Sequence, residues 1–421
     1  MNYLEIYTKD DIEKLKSYLK QNNYEEQENT VRQIIKDIRE RKDKALFEYC
    51  QKFDNFNANS DNIKVNDYEF EQAISKITQK QKDIILYAKE KIENFHRAFL
   101  PKTCIIEQNG IILGTRITSV KKAGLYIPGG KAFYPSTALM TIIPAYVAGV
   151  EEINICTPAQ NGYINELLLY IAKLYNIRNI FKVGGAQAIA SLAYGTQSIP
   201  KVDVIAGPGN IYVALANKLD YGEEGIDSVA GPSEVMIVAD NCEKLYAAYD
   251  LLSQAEHDIN AKVYYLSFND ECIKKISEKF FELSKLTNRN NITSKSALNA
   301  LFIKSTRDLA GYIIDEIAPE HLELQIDDPY SFMSSFKNAG AIFIGEYSCE
   351  TLGDYVAGPN HTLPTSQTAK FSSVLSAETF LKKSSIVHYS YEAMKKDAPF
   401  ATEFAEYEGL FAHAQALKVR L

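Results

Sequence analysis

Histidine is scarce in this chain, and most of its copies have neighbours that suggest chemistry. Of the six histidines, four stand beside glycine, proline or acidic residues: His257, His321, His361 and His413. A neutral imidazole binds zinc, and it also suits general acid–base catalysis because it titrates near physiological pH. Each of the four alone fits a hydrogen-bonded structural residue, but all four together favour a functional site. His96 and His388 lack such neighbours and are expected to be structural.

Side chains with oxygen donors accompany the four histidines at short spacing. Gln254 precedes His257 by three residues on a predicted helix, so both side chains lie on one face of it. The other companions are Glu320 directly before His321, Asp354 seven residues before His361, and Glu408 five residues before His413. The spacing by itself assigns no role to these companions and does not show that the four histidines converge.

Glycine-rich turns supply a second kind of signal. Gly207–Pro208–Gly209 follows a predicted strand and opens a helix, as a dinucleotide fingerprint does, although Tyr212 replaces its third glycine. Gly184–Gly185–Ala186–Gln187 is another strand-to-helix turn, whose helix N-terminus would present free N–H groups to an anion. Each turn alone also fits a plain tight connection, but together they favour a nucleotide cofactor at the strand ends. Gly129–Gly130–Lys131 fails as a phosphate loop because Ala132 stands where Ser or Thr must bind magnesium.

The hydrophobic pattern predicts an α/β protein that positions these residues. The first hundred residues predict three amphipathic helices, at about residues 10–19, 28–53 and 68–99. After Pro101, short apolar strands alternate with helical stretches, which is typical of parallel sheets covered on both faces. We therefore predict an N-terminal helical segment that packs on the core (1–100), two incomplete Rossmann-like parallel-sheet domains (101–232 and 233–383), and a C-terminal helical arm (384–421). Faint internal similarity leaves a duplication of the sheet domain open.

Composition excludes several classes of protein. The 421 residues are 46% hydrophobic and 24% charged, which is ordinary for a globular protein and rules out disorder. A net charge of −8 argues against a general nucleic-acid binder, because phosphate neutralisation dominates that affinity. The six cysteines form no CxxC pair and are expected to be small buried hydrophobes. The N-terminus lacks an apolar signal segment and no apolar stretch is long enough to span a bilayer, so we expect a cytoplasmic protein.

Eight ordered blocks of the sequence resemble the histidinol dehydrogenase family. They are Gly124–Gly130, Gly184–Ala190, Ala206–Asn210, Ala230–Glu234, Ser253–His257, Ala318–Leu322, Gly353–His361 and Glu408–His413. The resemblance covers essentially the whole chain. It implies an NAD-linked, zinc-dependent enzyme that oxidises L-histidinol to L-histidine via L-histidinaldehyde, the last two oxidations of histidine biosynthesis.

The resemblance also implies a role for each matching residue. The zinc ligands, one ion per subunit, would be Gln254, His257, Asp354 and His413. The substrate would contact these four and Ser233, His321, His361 and Glu408. NAD would contact Tyr126, Gln187 and Asn210. None of these positions is replaced in this chain, which argues against an inactive relative.

The implied chemistry needs a base and an activated water. His321 would be the general base for the alcohol, and Glu320 would activate the water that hydrates the aldehyde. Adjacent residues of a strand point to opposite faces, so we predict that Pro319 and its neighbours form a turn. The family shares its active site between two chains of a homodimer, so Glu408 and His413 would come from the partner's C-terminal arm.

Three other functions remain to be weighed against this one. A relative with the same zinc and NAD could act on another alcohol, such as a sulfonated propanediol, but the carboxylates Glu320 and Glu408 favour a cationic amino alcohol. A non-catalytic metal- or nucleotide-binding regulator would need no general base, so the Glu320–His321 pair argues against it. A nucleic-acid binder has only scattered lysines to support it.

Overall fold

The structure, a computed structural model, describes residues 2–19, 24–129, 134–229 and 231–421. It is an α/β fold, as the sequence predicted. The strands are β1 (Asn2–Ile6), β2 (Cys104–Gln108), β3 (Ile111–Ser119), β4 (Lys122–Tyr126), β5 (Glu152–Thr157), β6 (Asn179–Lys182), β7 (Val204–Ala206), β8 (Gly225–Ile226), β9 (Glu234–Ala239), β10 (Lys262–Ser267), β11 (Leu301–Ser305), β12 (His321–Gln325), β13 (Ala341–Ile344) and β14 (Leu381–Tyr389).

Helices connect and cover these strands. They are α1 (Glu25–Arg41), α2 (Asp43–Asp54), α3 (Asp67–Ser75), α4 (Gln79–Ala98), α5 (Pro135–Ala148), α6 (Glu166–Leu174), α7 (Gly185–Tyr194), α8 (Ile211–Asp220), α9 (Tyr246–Ala255), α10 (Asp270–Leu283), α11 (Asn290–Ser296), α12 (Arg307–Ile317), α13 (Pro329–Phe332), α14 (Glu350–Tyr355), α15 (Tyr391–Tyr407) and α16 (Phe411–Lys418). Short 3-10 segments lie at Asp10–Ser17, Gln160–Gly162, Ala297–Asn299, Met333–Ser335, Thr368–Lys370 and Ala377–Phe380. Among the described residues, no helix is both long and apolar enough to cross a membrane.

The chain forms two compact units. The first comprises Met1–Phe99 and Lys121–Phe380, and the second comprises Leu100–Val120 and Leu381–Leu421. Two parallel sheets belong to the first unit. The boundary predicted between two sheet domains, after residue 232, stays a prediction.

The two parallel sheets of the first unit share one strand order. The five-stranded sheet runs β6-β5-β4-β7-β8, and the six-stranded sheet runs β1-β11-β10-β9-β12-β13. With the edge strand β1 left aside, both sheets follow the order 3-2-1-4-5 when their strands are numbered along the chain, and the direction of winding reverses beside the first strand. Such a reversal point is where open α/β sheets bind ligands. The shared order agrees with the predicted pair of Rossmann-like sheets.

The inner strands β9 to β12 of the six-stranded sheet are largely buried on both faces. All six residues of β9 are buried, and side chains alternate between two apolar clusters. Met236 and Val238 pack in one cluster, and Val235 and Ile237 pack in the other, as the period of two in a strand requires. Burial on both faces explains why this segment reads as a continuous apolar run.

The N-terminal segment differs from the prediction of three helices. Residues 28–53 do not form one helix, because Lys42 adopts a positive φ of 52° between α1 and α2. Residues 68–99 are likewise divided, since Thr78 starts α4 with a capping box. The sequence analysis also missed β1, which pairs in parallel with Leu301–Ser305 at the edge of the six-stranded sheet.

The second unit contains an antiparallel sheet and two helices. β2 and β3 were predicted to belong to the first Rossmann-like domain, but they form this sheet with β14 in the order β14-β3-β2. The helices α15 and α16 confirm the helical part of the predicted C-terminal arm.

The cysteines also depart from expectation. Cys242 and Cys272 form a disulfide across 30 residues of sequence, whereas both were predicted to be isolated apolar residues. Cys50 and Cys156 are free and buried, as expected, but Cys104 is exposed. Spacing along the chain did not reveal the disulfide, because the two sulfurs meet only when the loop after β9 packs on α10.

Candidate active site

A cavity of about 280 Å³ lies in the first unit and is lined by strand ends of both parallel sheets. The five-stranded sheet contributes the carboxyl ends of β4 and β7, its reversal point. The six-stranded sheet contributes the amino ends of β9 and β12. The lining residues are Pro128, Tyr134, Ser136, Thr137, Gly207, Pro208, Gly209, Asp227, Ser228, Gly231, Ser233, Gln254, His257, Glu320, His321, Asp354, Tyr355, His361, Thr362, Leu363 and Thr365.

The cavity brings together most of the predicted substrate and metal residues. They come from segments that are far apart in sequence: Ser233, Gln254, His257, Glu320, His321, Asp354 and His361. Glu408 and His413 belong to the second unit, where both are exposed. Parts of two predicted motifs, Gly130–Lys131–Ala132 and Ala230, lie outside the described residues.

Helix α9 presents two of the predicted metal ligands. Gln254 lies in its last turn and is 1% exposed, and His257 follows just beyond its end. The amide oxygen and nitrogen of Gln254 are assigned so that each faces a suitable partner. In this orientation Nε2 donates to Glu350 Oε1 (2.9 Å) and Oε1 accepts from the Glu234 N–H (2.8 Å). The amide is therefore held in place by groups from two other segments.

Helix α14 supplies a predicted carboxylate and one that the sequence analysis missed. The ligand atoms of His257, Glu350 and Asp354 all lie within 4.8 Å of one another. Glu350 precedes Asp354 by four residues, which puts both on one face of α14. This spacing was the signal in the sequence that could have identified Glu350.

Several carboxyl groups are buried close together in this part of the cavity. Burial raises the pKa of Glu350 well above its usual value, and the nearby charges of Asp354, Glu323 and Glu320 raise it further. Burial also raises the pKa of Asp354, to about 6. The described lining residues include no lysine or arginine. A cation would relieve this repulsion.

The donor set fits a divalent metal such as zinc. It contains an imidazole, an amide and two carboxylates, and catalytic zinc sites use nitrogen and oxygen ligands of this kind. Glu350 Oε2 is buried and has no hydrogen-bond partner among the described residues. A buried oxygen without a partner is costly, so an additional bonding group is expected there.

The segment from Ala318 to His321 forms the predicted turn. Ala318 adopts a left-handed conformation (φ 47°), the chain bends at Glu320, and β12 begins at His321. Glu320 Oε2 shares the backbone N–H of Glu234 with Gln254 (2.8 Å to each acceptor), while His321 Nδ1 lies 3.0 Å from the Glu234 carbonyl oxygen. Both side chains line the same cavity.

His321 is held as a neutral base. A carbonyl oxygen only accepts, so Nδ1 carries the proton and Nε2 keeps its lone pair. His321 Nε2 is buried and has no hydrogen-bond partner within the described part of the chain. Burial lowers the pKa of His321 to about 4. The imidazole is therefore unprotonated near neutral pH and free to accept a proton.

Glu320 has a different electrostatic environment. Burial raises its pKa well above the usual value, and repulsion from Glu234 and Asp354 adds to this, whereas the Glu234 N–H opposes it. A carboxyl group with a raised pKa is a stronger base once ionised. Glu320 thus suits proton transfer rather than passive charge pairing.

His361 occupies a more constrained position. Its Nδ1 lies 3.0 Å from the Asp354 carbonyl oxygen, and its Nε2 lies 3.3 Å from Thr137 Oγ1. Both ring nitrogens are therefore engaged, so His361 suits binding better than proton abstraction.

The predicted NAD residues lie on the five-stranded sheet side of the unit. Tyr126 ends β4, and its hydroxyl accepts the Gly185 N–H (3.1 Å) at the start of α7. Gln187 lies in the same first turn and is 1% exposed. Asn210 caps α8 by accepting the N–H groups of two following residues. These contacts are structural, and the cofactor role of the three residues stays a prediction.

The N-terminus of α7 differs from the expected free anion site. Asp54 Oδ2 accepts the Gly184 N–H at 3.3 Å, and the Tyr126 hydroxyl takes the next one. Two N–H groups predicted to be available to an anion are thus already bonded.

Comparison with known proteins identifies the family. The family model described as histidinol dehydrogenase matches residues 18–421. A histidinol dehydrogenase of Carboxydothermus hydrogenoformans is 43% identical over 401 residues, which cover 94% of both chains. One of Methanocaldococcus jannaschii is 43% identical over 418 residues, covering 98% of this chain and 97% of that one.

Solved structures agree with the sequence comparison. The crystal structure of a histidinol dehydrogenase from Elizabethkingia anophelis superposes with a TM-score of 0.94 at 34% identity. It covers 100% of this chain and 98% of that one. On this sequence and structural similarity, the chain belongs to the histidinol dehydrogenase family.

Proposed function

We propose that this enzyme oxidises L-histidinol to L-histidine through L-histidinaldehyde, with zinc and NAD as cofactors. The observation that carries the proposal is His321, a neutral imidazole that lines the cavity and whose Nε2 has no hydrogen-bond partner among the described residues and lies 3.9 Å from Asp354 Oδ1. An oxidation of an alcohol needs a base beside the hydroxyl group. Bound NAD would supply a hydride acceptor.

The residues that would hold zinc are Gln254, His257 and Asp354 of one chain and His413 of a second. Glu350 adds a further carboxylate within reach of the same point. Bound zinc would supply a positive charge that orients the substrate through its nitrogen atoms. The excess of buried carboxylates supports both the metal and a cationic substrate.

His321 would take the hydroxyl proton in the first oxidation through Nε2. Its Nδ1–H bond to the Glu234 carbonyl fixes the tautomer and the orientation of the ring. Glu320 would then remove a proton from the water that hydrates the aldehyde, and His321 would serve again in the second oxidation. Ser233 and His361 would bind the substrate.

A cationic amino alcohol suits this cavity better than an anionic alcohol. A sulfonated propanediol would require a basic side chain for its sulfonate, but the described lining residues offer no lysine or arginine. Like charges at close range would weaken its binding.

We further propose that the active enzyme is a homodimer with shared sites. Glu408 and His413 are exposed in the second unit, which also exposes several large apolar side chains. Those at least 60% exposed are Ile106, Val387, Phe400, Phe404, Tyr407, Phe411 and Val419. Exposed apolar groups at this density are typical of a surface that a partner covers.

Tyr126, Gln187 and Asn210 would contact NAD.

The test is to count NADH formed per L-histidinol consumed, before and after chelation and zinc repletion. We expect two NADH per substrate, loss of activity with chelator and recovery with zinc. One NADH per substrate would contradict the second oxidation and the role of Glu320. No NADH from folded, zinc-loaded protein would favour a family member that acts on another alcohol.

A further inference from the structure

A carboxylate from the N-terminal segment reaches the start of α7. Asp54, the last residue of α2, is 130 residues from Gly184 in sequence, yet its Oδ2 accepts the Gly184 N–H at 3.3 Å. A Cβ on Gly184 would meet Asp54 Oδ1 at 3.2 Å, so the carboxylate lies close against this turn. Burial raises the pKa of Asp54, and the Gly184 N–H opposes this shift.

A second polar group at this turn lacks a partner. Gln187 is 1% exposed, and its Nε2 forms no hydrogen bond with any described residue. Its side chain folds back over Gly185, because a Cβ built there would meet Gln187 Oε1 at 2.8 Å. A buried amide without a partner implies that a polar ligand group completes its bonding.

We propose that Asp54 selects the dinucleotide by accepting hydrogen bonds from the adenosine ribose hydroxyls and rejecting a 2′-phosphate. The inference rests on the proposed use of NAD, because it assumes that the dinucleotide lies against Tyr126 and Gln187. An ionised carboxylate accepts from two neighbouring hydroxyls, whereas a phosphate placed beside it is repelled.

Because Asp54 lies at this turn, the start of α7 differs from a helix N-terminus that binds phosphate. A helix N-terminus normally attracts phosphate through its free N–H groups. Here the N–H groups of Gly184 and Gly185 are bonded to Asp54 and to the Tyr126 hydroxyl. The turn therefore favours a neutral sugar over an anion. In dinucleotide-binding folds an acidic residue on the ribose usually follows a strand of the same sheet, whereas here a preceding helix supplies it.

The decisive variant is Asp54→Asn, which keeps an oxygen acceptor for the Gly184 N–H but removes the charge. Hydrogen bonds to charged groups are worth about tenfold to hundredfold in binding. We expect kcat/KM for NAD to fall about tenfold and that for NADP to rise, so that their ratio falls by at least about a hundredfold. Asp61→Asn removes the same charge from an exposed position seven residues further on and should leave the ratio unchanged.

A binding measurement keeps the test independent of turnover. Calorimetric titration of the wild-type protein with ADP-ribose and with 2′-phospho-ADP-ribose should show at least about hundredfold weaker binding of the phosphorylated form. Equal affinities for the two would overturn the inference, as would an unchanged NAD/NADP ratio in folded Asp54→Asn protein. If the wild-type enzyme reduces no NAD with histidinol, the proposed function fails, and the two affinities still decide the role of Asp54.

Discussion

Replacement of His321 by Asn should abolish most of the activity without disturbing the site. An Asn side chain can place its amide N–H near the position of Nδ1 and so keep the bond to the Glu234 carbonyl. It lacks the Nε2 lone pair, which is the group we assign as the base. Because burial lowers the pKa of His321 to about 4, nearly all of the wild-type imidazole is in the basic form at pH 7. The full contribution of a general base, about 10²- to 10⁴-fold, should therefore be lost.

Rapid-mixing measurements with enzyme in excess separate the two oxidations. The expected loss of rate corresponds to an increase of about 3 to 5 kcal/mol in the activation barrier. Both the oxidation of histidinol and the oxidation of histidinaldehyde should slow. The KM for histidinol should change little, because Nε2 acts on the proton rather than on the amine. His388→Asn is the matched control, since this histidine lies on the exposed strand β14. Retention of more than about a tenth of the wild-type rate in either step would refute the assignment of the base.

Four further predictions address the neighbouring residues, the assembly and the fold. Glu320→Gln should slow aldehyde oxidation at least about tenfold more than alcohol oxidation, measured in single turnovers. His257→Asn should lose zinc on dialysis, measured by metal analysis. Mixed subunits of His321→Asn and His413→Asn proteins should regain up to about a quarter of wild-type activity, because random pairing restores one intact shared site in half of the dimers. Glu224 is 6% exposed, and burial followed by the nearby Asp220 raises its pKa from 4.5 to about 8. Between these two pKa values the folded protein keeps a proton that the unfolded chain releases, so the free energy of unfolding falls as pH rises from 4.5 to about 8. Glu224→Gln removes this effect and should stabilise the protein by at least about 1 kcal/mol at pH 9 but not at pH 4.

Each of these has a clear contrary result. Equal slowing of both steps would remove the special role of Glu320, and stoichiometric zinc after dialysis would exclude His257 as a ligand. Mixed subunits that stay inactive, although they exchange, would argue against a shared site. A difference in unfolding free energy between Glu224→Gln and wild type that is constant from pH 4 to pH 9 would mean that Glu224 ionises normally in the folded protein.

Local patterns predicted the elements that depend on nearby residues. The buried strand β9 lies in the region where short apolar strands were predicted, because Glu234–Ala239 is a mostly apolar run of strand length. The short edge strand β1 was missed, since its pairing partner lies about 300 residues away and only Ile6 of its five residues is buried. Strand β12 was missed for a related reason: its residues include His321 and Glu323, which are buried polar groups that interrupt an apolar pattern.

For the site residues, too, the sequence indicated some features and the fold showed others. Residue types and spacing identified His257 and His321 as candidates for metal binding or proton transfer, and the family resemblance gave roles to these two, to Gln254 and to Glu320. Glu350 was missed despite its spacing from Asp354, and the fold showed that it joins them through Gln254 of a different helix. Only the fold showed that His321 keeps a ring nitrogen without a partner among the described residues, whereas His361 uses both of its own.

The sequence by itself determined the family, the α/β class and the side chains available for chemistry, because these follow from residue identity and local periodicity. The tertiary structure decided which of those side chains share one cavity and how each is charged. Glu320 lies 86 residues from Glu234 in sequence and Asp54 lies 130 from Gly184, yet each pair is hydrogen-bonded. The pKa of a buried group is set by the desolvation and the charges that such distant contacts create, so no local pattern encodes it.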